Sequence, residues 1–176
     1  MSKFLHLFLL SLGLSLASIR PSWADTPTEN QIKSAYVLNF IKFVDWPAGA
    51  GDARVALCVM GNAPLGGALS SLDGRKAGAR EIHVEHVKYD DDLKGCQVLY
   101  IGESEQRRVT AIIRALADSP VLTISDIENF AQRGGTIGLV SHENRIVFEV
   151  NLASARSGKL FLSGQMLNLA THVFGR

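Results

Sequence analysis

The chain has 176 residues, of which 47% are hydrophobic and 20% are charged. That length predicts one domain with a substantial core, and the composition excludes an intrinsically disordered chain. The 18 basic residues nearly balance the 17 acidic ones, which excludes the strongly basic character of a typical nucleic-acid-binding protein.

The first 24 residues differ in composition from the rest of the chain. Lys3 precedes an apolar run from Phe4 to Ile19, and small residues stand at the end of the segment near Ala24. These are the three parts of a secretory signal peptide. The alternative is an uncleaved membrane anchor, but polar residues interrupt the run and leave it shorter than the ~20 residues of a membrane span. Residues 1–24 are therefore predicted to be a cleaved signal peptide.

Cleavage defines a remaining domain, residues 25–176, and changes its charge. It removes Lys3 and Arg20 and no acidic residue, which leaves 16 basic against 17 acidic residues and a net charge of −1. Nucleic acid is not an expected partner at that charge. No later stretch of the sequence is apolar for long enough to span a bilayer. If the source is a Gram-negative bacterium, the expected location is the periplasm.

The first predicted helix contains the stretch "AYVLNFIKFVDWP". Thr28 or Asn30 can cap its start, and Pro47 is predicted to end it by forcing Trp46 out of the α region. Apolar residues at spacings of four and three form a stripe, and others extend it until most of the helix needs cover from protein. The aromatic residues therefore either pack on the sheet or contact a partner or a second copy of the chain. These candidate contact residues are Tyr36, Phe40, Phe43 and Trp46.

Three apolar runs of strand length predict strands buried on both faces: "RVALCVMG", "CQVLYIG" and "VLTIS". The segment "REIHVEHVKY" alternates between apolar and polar residues and predicts a half-exposed or edge strand. Helical segments such as "ESEQRRVTAIIRALAD" separate the strands. This alternation indicates an α/β fold with a mainly parallel sheet, and right-handed crossovers place helices on both of its faces.

The C-terminal part of the domain predicts an antiparallel element. "GTIGLV" and "RIVFEVN" flank the polar turn "SHEN" and predict a hairpin at the edge of the sheet. Before it, Ser125 and Glu128 have the spacing of a capping box, which predicts a helix that ends near Gly134. After it, apolar residues between Gly164 and Val173 predict a terminal helix. The chain beyond the signal peptide is thus predicted to be a single domain.

Cys58 and Cys96 are the two cysteines of the chain. An exported protein meets an oxidising compartment, so a disulfide between them is expected. The alternative is a pair of buried thiols in neighbouring strands, because cysteine is also a small core hydrophobe.

The segment "YIGESEQ" places Ser104 where a strand turns into a helix, as in the nucleophile elbow of α/β hydrolases. Asp126 and then His142 or His172 follow in the order of a hydrolase triad. However, Gln106 replaces the second glycine of the elbow, and two flanking glutamates would disfavour an oxyanion. We therefore expect Ser104 to cap the following helix.

Neither a metal site nor a phosphate loop is complete in the sequence. His83 and Glu85 share one side of the predicted strand, but His86 points to the other, and zinc usually takes three or four ligands. The loop from Gly61 to Gly67 follows a buried strand, where backbone amides can bind an anion, but it lacks the Lys-Ser/Thr of a P-loop. A metabolite site at the strand ends near Gly61 and Gly102 stays open as an alternative.

Several motifs together resemble the YfiR family of periplasmic proteins. They are "KSAYVLNFIKFVDWP", "LCVMG", "CQVLYIGES", "LTISDIENFAQRGGTIGLV", "RIVFEVN" and "LSGQMLNLA", in this order. The similarity extends from about Ile32 to His172. The Trp-Pro ending of the first helix, the Gly-Gly before the hairpin and the "FEVN" strand are specific in combination.

The resemblance implies a regulator without a cofactor and not an enzyme. Family members are exported α/β proteins that bind the periplasmic sensor domain of an inner-membrane diguanylate cyclase and hold it inactive, which lowers cyclic di-GMP and disfavours biofilm. An outer-membrane lipoprotein can sequester them, and they can form homodimers. Cys58 and Cys96 stand where the family commonly has a cysteine pair. A second pair, which some members carry near the hairpin, is missing from this sequence.

The function predicted from the sequence is therefore inhibitory binding to a membrane-bound diguanylate cyclase or a similar signalling protein. A periplasmic small-molecule-binding protein is the alternative, with its site at the strand ends. A serine hydrolase that uses Ser104 is a third hypothesis.

Overall fold

Ten strands and five helices lie in the residues described by the computed structural model, which are 26–47, 53–62 and 64–176. The predicted signal peptide, residues 1–24, lies outside them. The helices are α1 (Glu29–Phe43), α2 (Pro64–Ser70), α3 (Val109–Ala115), α4 (Leu152–Ser157) and α5 (Gly164–Leu169). The strands are β1 (Val44–Asp45), β2 (Arg54–Met60), β3 (Lys76–Ala77), β4 (Arg80–Val87), β5 (Val98–Ile101), β6 (Leu122–Ser125), β7 (Ile137–His142), β8 (Arg145–Asn151), β9 (Phe161–Leu162) and β10 (His172–Phe174). No helix in the described part of the chain has the length and hydropathy of a membrane span.

Eight strands form one mixed sheet in the order β10-β8-β7-β6-β5-β2-β4-β3. The five strands from β7 to β4 are parallel to one another. β8 pairs antiparallel with β7 and forms the predicted hairpin, while β10 lies parallel to β8. The predicted α/β class with a mainly parallel sheet and a late antiparallel hairpin is confirmed.

The sheet is buried on both faces, and each face has its own core. On one face, α1 and α2 cover Leu57 and Tyr100. On the other, α3 and the segment 127–134 cover Met60 and Leu99. The central strands are apolar along their whole length because each alternate residue meets one of these two cores. The predicted placement of helices on both faces is confirmed.

Helix α1 starts as predicted but ends earlier. Thr28 caps it in a capping box, in which the Gln31 amide donates to the Thr28 hydroxyl and the Thr28 amide donates to the Gln31 side-chain oxygen. The helix stops at Phe43 and not at the Trp-Pro dipeptide, because Val44 turns into an extended conformation and pairs with Leu162 of β9. Pairing with a distant strand therefore ends the helix before Pro47 can do so.

The helix predicted after Ser125 is wrong, because the segment 127–134 consists of turns. The Ser125 hydroxyl donates to the Ile101 carbonyl at 2.6 Å and accepts from the Ile127 amide at 3.0 Å, which forms a local turn. Asn129 then adopts a left-handed conformation with φ of 56°, which interrupts helical geometry.

Two other helical predictions were too long. The segment after β5 is divided into a 3₁₀ turn, Glu103–Glu105, and the separate helix α3. The terminal helix ends at Leu169, and Val173 lies in strand β10 and not in a helix. The Thr171 amide donates to the Phe148 carbonyl at 2.9 Å and directs the last residues along the open edge of β8.

Candidate functional site

The order in which the chain adds parallel strands to the sheet reverses at β2. The chain goes from β2 to β4 on one side and then returns to β5 on the other side of β2. In open α/β sheets the carboxyl ends of the strands at such a switch point form the usual ligand crevice. Gly61 follows β2 and Gly102 follows β5 at this place, as the metabolite-site hypothesis requires.

A crevice of about 580 Å³ lies next to Gly61, and Asn62 and Ser104 are part of its lining. The Asn62 amide donates to the Ser104 hydroxyl at 3.0 Å, and a Cβ at Gly61 would lie only 2.5 Å from that oxygen. Gly61 has φ of 82°, so glycine is needed here both for its backbone angle and for this close approach. Ser104 therefore holds two loops together and uses an amide that an anion would need.

Ser104 neither caps α3 nor sits in a catalytic triad. The residue before α3, Arg108, provides no side-chain cap, so the predicted capping role is wrong. Asp126 binds Lys33 and Tyr100, each at 2.9 Å. His142 and His172 belong to β7 and the edge strand β10, whereas Ser104 follows β5. The structure therefore does not bring the residues of the hypothesised hydrolase triad together.

The histidines of β4 do not converge on a common point. Nδ1 of His83 lies 3.2 Å from Asp73, and its Nε2 lies 3.7 Å from Glu85. Because the two ring nitrogens point in different directions, a metal ion bound to one of them cannot also bind the carboxylate beside the other. Nε2 of His86 lies 3.1 Å from the Ser70 hydroxyl instead. In residues 26–47, 53–62 and 64–176, no group of three ligand-type side chains is suited to a metal ion.

Cys58 and Cys96 form a disulfide with their Cα atoms 5.8 Å apart. Both cysteines are buried in the core on the α3 side of the sheet. The bond joins the middle of β2 to the segment that leads into β5, so it crosses between two neighbouring strands.

A partly buried polar network joins α1 to the carboxyl ends of the strands. The Lys33 ammonium, whose side chain is 9% exposed, lies 2.8 Å from Glu29 and 2.9 Å from Asp126. The Tyr100 hydroxyl donates to the other oxygen of Asp126 at 2.9 Å. Ser141 of the hairpin donates to Glu29 at 3.0 Å. Every charge in this network therefore has a partner, which is the condition for burying it.

The pKa directions in this network follow from those contacts. Hydrogen bonds from Lys33 and Ser141 lower the pKa of Glu29. Burial opposes the charged form of Lys33, but the two carboxylates outweigh it and raise the pKa of Lys33. Burial and the negative charge of Asp126 raise the pKa of Tyr100. The network is thus a stable set of ion pairs around neutral pH, as expected for a structural element.

The aromatic residues of the first helix divide into two groups. Phe40 is 2% exposed and Trp46 is 8% exposed, so both rings are buried within the protein. Tyr36 and Phe43 are partly buried against the same core. The Tyr36 hydroxyl donates to the Ile146 carbonyl at 3.1 Å. Only Tyr36 and Phe43 of the four candidates therefore keep ring surface that a partner can reach.

Among the described residues, the two large apolar side chains with the highest exposure are ones that the sequence analysis missed. Phe161 in β9 is 78% exposed and Leu169 at the end of α5 is 68% exposed. Their neighbours Leu160, Leu162 and Met166 are buried. Leu160, Phe161 and Leu162 are three consecutive apolar residues, so the sequence gives no sign of which one points outward.

Comparisons with known proteins agree with this architecture. The family described as YfiR/HmsC-like matches residues 30–171. A crystal structure of a conserved domain protein from Vibrio cholerae O1 biovar El Tor strain N16961 has a similar fold, with a TM-score of 0.57 and 10% sequence identity. The match covers 83% of this chain but 60% of that one, so the chain spans less than two thirds of its neighbour's length. At this identity the likeness concerns the fold alone.

Proposed function

The chain belongs to the YfiR/HmsC-like family, and from that premise we propose that it is a periplasmic regulator that acts by binding other proteins. Its target is the periplasmic sensor domain of an inner-membrane diguanylate cyclase, which it holds inactive so that cyclic di-GMP falls. An outer-membrane lipoprotein competes for it and relieves the inhibition. The export signal predicted in residues 1–24 and the disulfide are consistent with that compartment.

The observation that carries the proposal is the family match over residues 30–171. A second observation supports the proposal. The side chains considered for a hydrolase or an anion site make structural contacts. Ser104 binds the Asn62 amide, and Asp126 neutralises Lys33. Because these side chains have structural roles, we infer that the domain acts through contact of its surface with a macromolecule.

Inhibition by binding requires a preference for one state of the target. A regulator shifts a cyclase towards its inactive state only by the difference between its affinities for the two states. Moving the cyclase from mostly active to mostly inactive takes a preference of about 5 kcal/mol. Tyr36 and Phe43 are the proposed contacts, whereas the buried Phe40 and Trp46 support the helix from inside.

Deletion of the gene tests this function directly. We expect cellular cyclic di-GMP to rise, and the full chain supplied from a plasmid to restore the low level. A chain that lacks residues 1–24 is the matched control and should not restore it, because it stays on the wrong side of the inner membrane. Unchanged cyclic di-GMP, together with no sensor domain retained by the immobilised protein, would refute the proposal.

A further inference from the structure

The crevice next to Gly61 lies where open α/β sheets usually bind their ligands. β2 stands between β4 and β5 in the sheet, and the crevice is lined by the end of β2, the end of β4 and the turn that follows β5. The carboxyl ends of parallel strands meet there at the switch point of the sheet. Its volume of about 580 Å³ lies within the range of small-molecule sites. We call it the switch-point crevice.

An aromatic ring and a guanidinium group stack on each other in the lining of the switch-point crevice. Tyr89, just beyond β4, is 40% exposed. The guanidinium carbon of Arg108 lies 5.4 Å from the centre of the Tyr89 ring. Arg108 also pairs with Glu105 at 3.5 Å, and the Glu105 side chain is 17% exposed whereas that of Arg108 is 61% exposed. Glu105 and Tyr89 therefore position a guanidinium that keeps donors for a ligand.

Lys88 adds a second cation to the lining of the crevice. It is exposed and has no ion pair with any residue of the described segments. The carboxylate of Asp91 accepts from the Lys88 backbone amide at 2.7 Å and so belongs to the local turn. Asp90 is the second carboxylate of the lining, beside Glu105. Two cations near two carboxylates suit a ligand with one negative group better than a polyanion.

The backbone of the loop after β2 offers less to an anion than these side chains do. The Asn62 amide already donates to the Ser104 hydroxyl at 3.0 Å. An anionic group in the crevice is therefore bound by the Arg108 guanidinium and the Lys88 ammonium. A planar ring attached to that group can stack on the part of Tyr89 that Arg108 leaves open.

We propose that the switch-point crevice binds a small molecule that has an aromatic ring and one anionic group, either a carboxylate or a phosphate. Arg108 and Lys88 bind the anionic group, and Tyr89 stacks with the ring. This site goes beyond the proposed function, because it gives a protein that acts by binding other proteins a small-molecule ligand of its own. It does not include Tyr36 or Phe43, the proposed contacts with the cyclase.

Titration of the ¹⁵N-labelled protein with simple probes, followed by two-dimensional NMR, tests the site. Benzoate and phenyl phosphate carry both features, and the tighter of the two identifies the anionic group. Their small size limits the expected dissociation constants to about 1 mM. The amide signals of Gly61, Tyr89 and Arg108 should shift and reach saturation. Inorganic phosphate, which lacks the ring, and benzyl alcohol, which lacks the charge, should each bind about 10-fold more weakly.

Variants assign the two parts of the ligand to their residues. Arg108→Ala should weaken binding of the tighter probe by about 10-fold, since it removes a charge-assisted hydrogen bond. Tyr89→Leu should weaken it by roughly 5-fold, because stacking is lost while apolar surface stays. Arg107→Ala is the matched control, because this neighbouring arginine is exposed but does not line the crevice, and it should bind like the wild type. Urea unfolding checks that each variant is folded.

Three results would overturn the proposal. They are the absence of saturable shifts at Gly61, Tyr89 and Arg108, equal affinity for probes with and without the ring or the charge, and equal affinity of Arg108→Ala and Arg107→Ala. The measurement involves no cyclase, so its failure would leave the proposed function standing.

Discussion

The guanidinium carbon of Arg80 lies 5.2 Å from the centre of the Trp46 ring. The same guanidinium donates to the carbonyl of Ile41 in α1 at 3.4 Å and to that of Val44 in β1 at 3.2 Å. The Trp46 indole in turn donates to the Gln97 carbonyl at 3.1 Å. Arg80 thus fastens the end of the first helix to β4, while Trp46 fastens it to the entry of β5.

Replacing Arg80 should loosen this end of the helix. We expect Arg80→Ala to lower the free energy of unfolding by about 2 kcal/mol, because it removes a cation–π contact and hydrogen bonds to helix carbonyls. Arg80→Lys should recover only part of the loss, since lysine lacks the planar fork. Urea denaturation monitored by Trp46 fluorescence measures both. Arg107→Ala, at an exposed arginine beyond β5, should change the stability by less than about 0.5 kcal/mol.

Reduction of the Cys58–Cys96 disulfide should destabilise the fold without changing its topology. The bond closes a loop with a sequence separation of 38, for which the chain-entropy model gives about 4 kcal/mol. A Cys58→Ala/Cys96→Ala variant should show a loss of that size in urea denaturation. Adding reductant should lower the stability of the wild type and leave the double variant unaffected. Equal stability of the oxidised wild type and the double variant would contradict this prediction.

The contribution of Glu29 should disappear in acid. Because contacts with Lys33 and Ser141 lower the pKa of Glu29 in the folded state, its carboxylate stabilises the fold above its unfolded pKa of about 4.3. This stabilisation is lost as the pH falls through the lower pKa of the folded state. Glu29 is more than half exposed, so Glu29→Gln should cost less than about 1 kcal/mol at pH 7. In unfolding curves measured from pH 7 to pH 3, the difference between variant and wild type should shrink towards zero.

Two glycines should respond in opposite ways to the same substitution. A Cβ at Gly135 would overlap three ring atoms of Phe130, a side chain that is itself buried. Gly135→Ala should therefore destabilise the protein by about 2 kcal/mol. Gly67 lies inside α2 with nothing within 4 Å of such an atom. Gly67→Ala should stabilise the protein by about 0.5–1 kcal/mol through helix propensity, and thermal unfolding of the two variants measures the contrast.

The central strands could be predicted because their pattern is local and strong. Seven residues of β2 and four of β5 are nearly all apolar, and only a strand covered on both faces uses such a run at that length. The hairpin of β7 and β8 was equally clear from two apolar segments around a polar turn. The local sequence of these elements is therefore sufficient to predict them.

The rest depended on contacts with distant residues. Val44 leaves the helix because Leu162 is available to pair with it, and the turn after Ser125 does not continue as a helix, since Asn129 adopts a left-handed conformation. The C-terminal residues have an apolar pattern that suits a helix as well as a strand, and the open edge of β8 decides between them. The exposure of Phe161 likewise follows from the pairing of β1 with β9, which involves two residues from each strand.

The disulfide also determines how the chain would carry tension between its ends. A force applied there passes through the Cys58–Cys96 bond and bypasses α2, β3 and β4, which lie between the two cysteines. At ~3.4 Å for each residue of an extended chain, the sequence separation of 38 corresponds to about 130 Å of hidden length. The segment between the two cysteines therefore cannot be extended while the bond is intact, and reduction would make that length available.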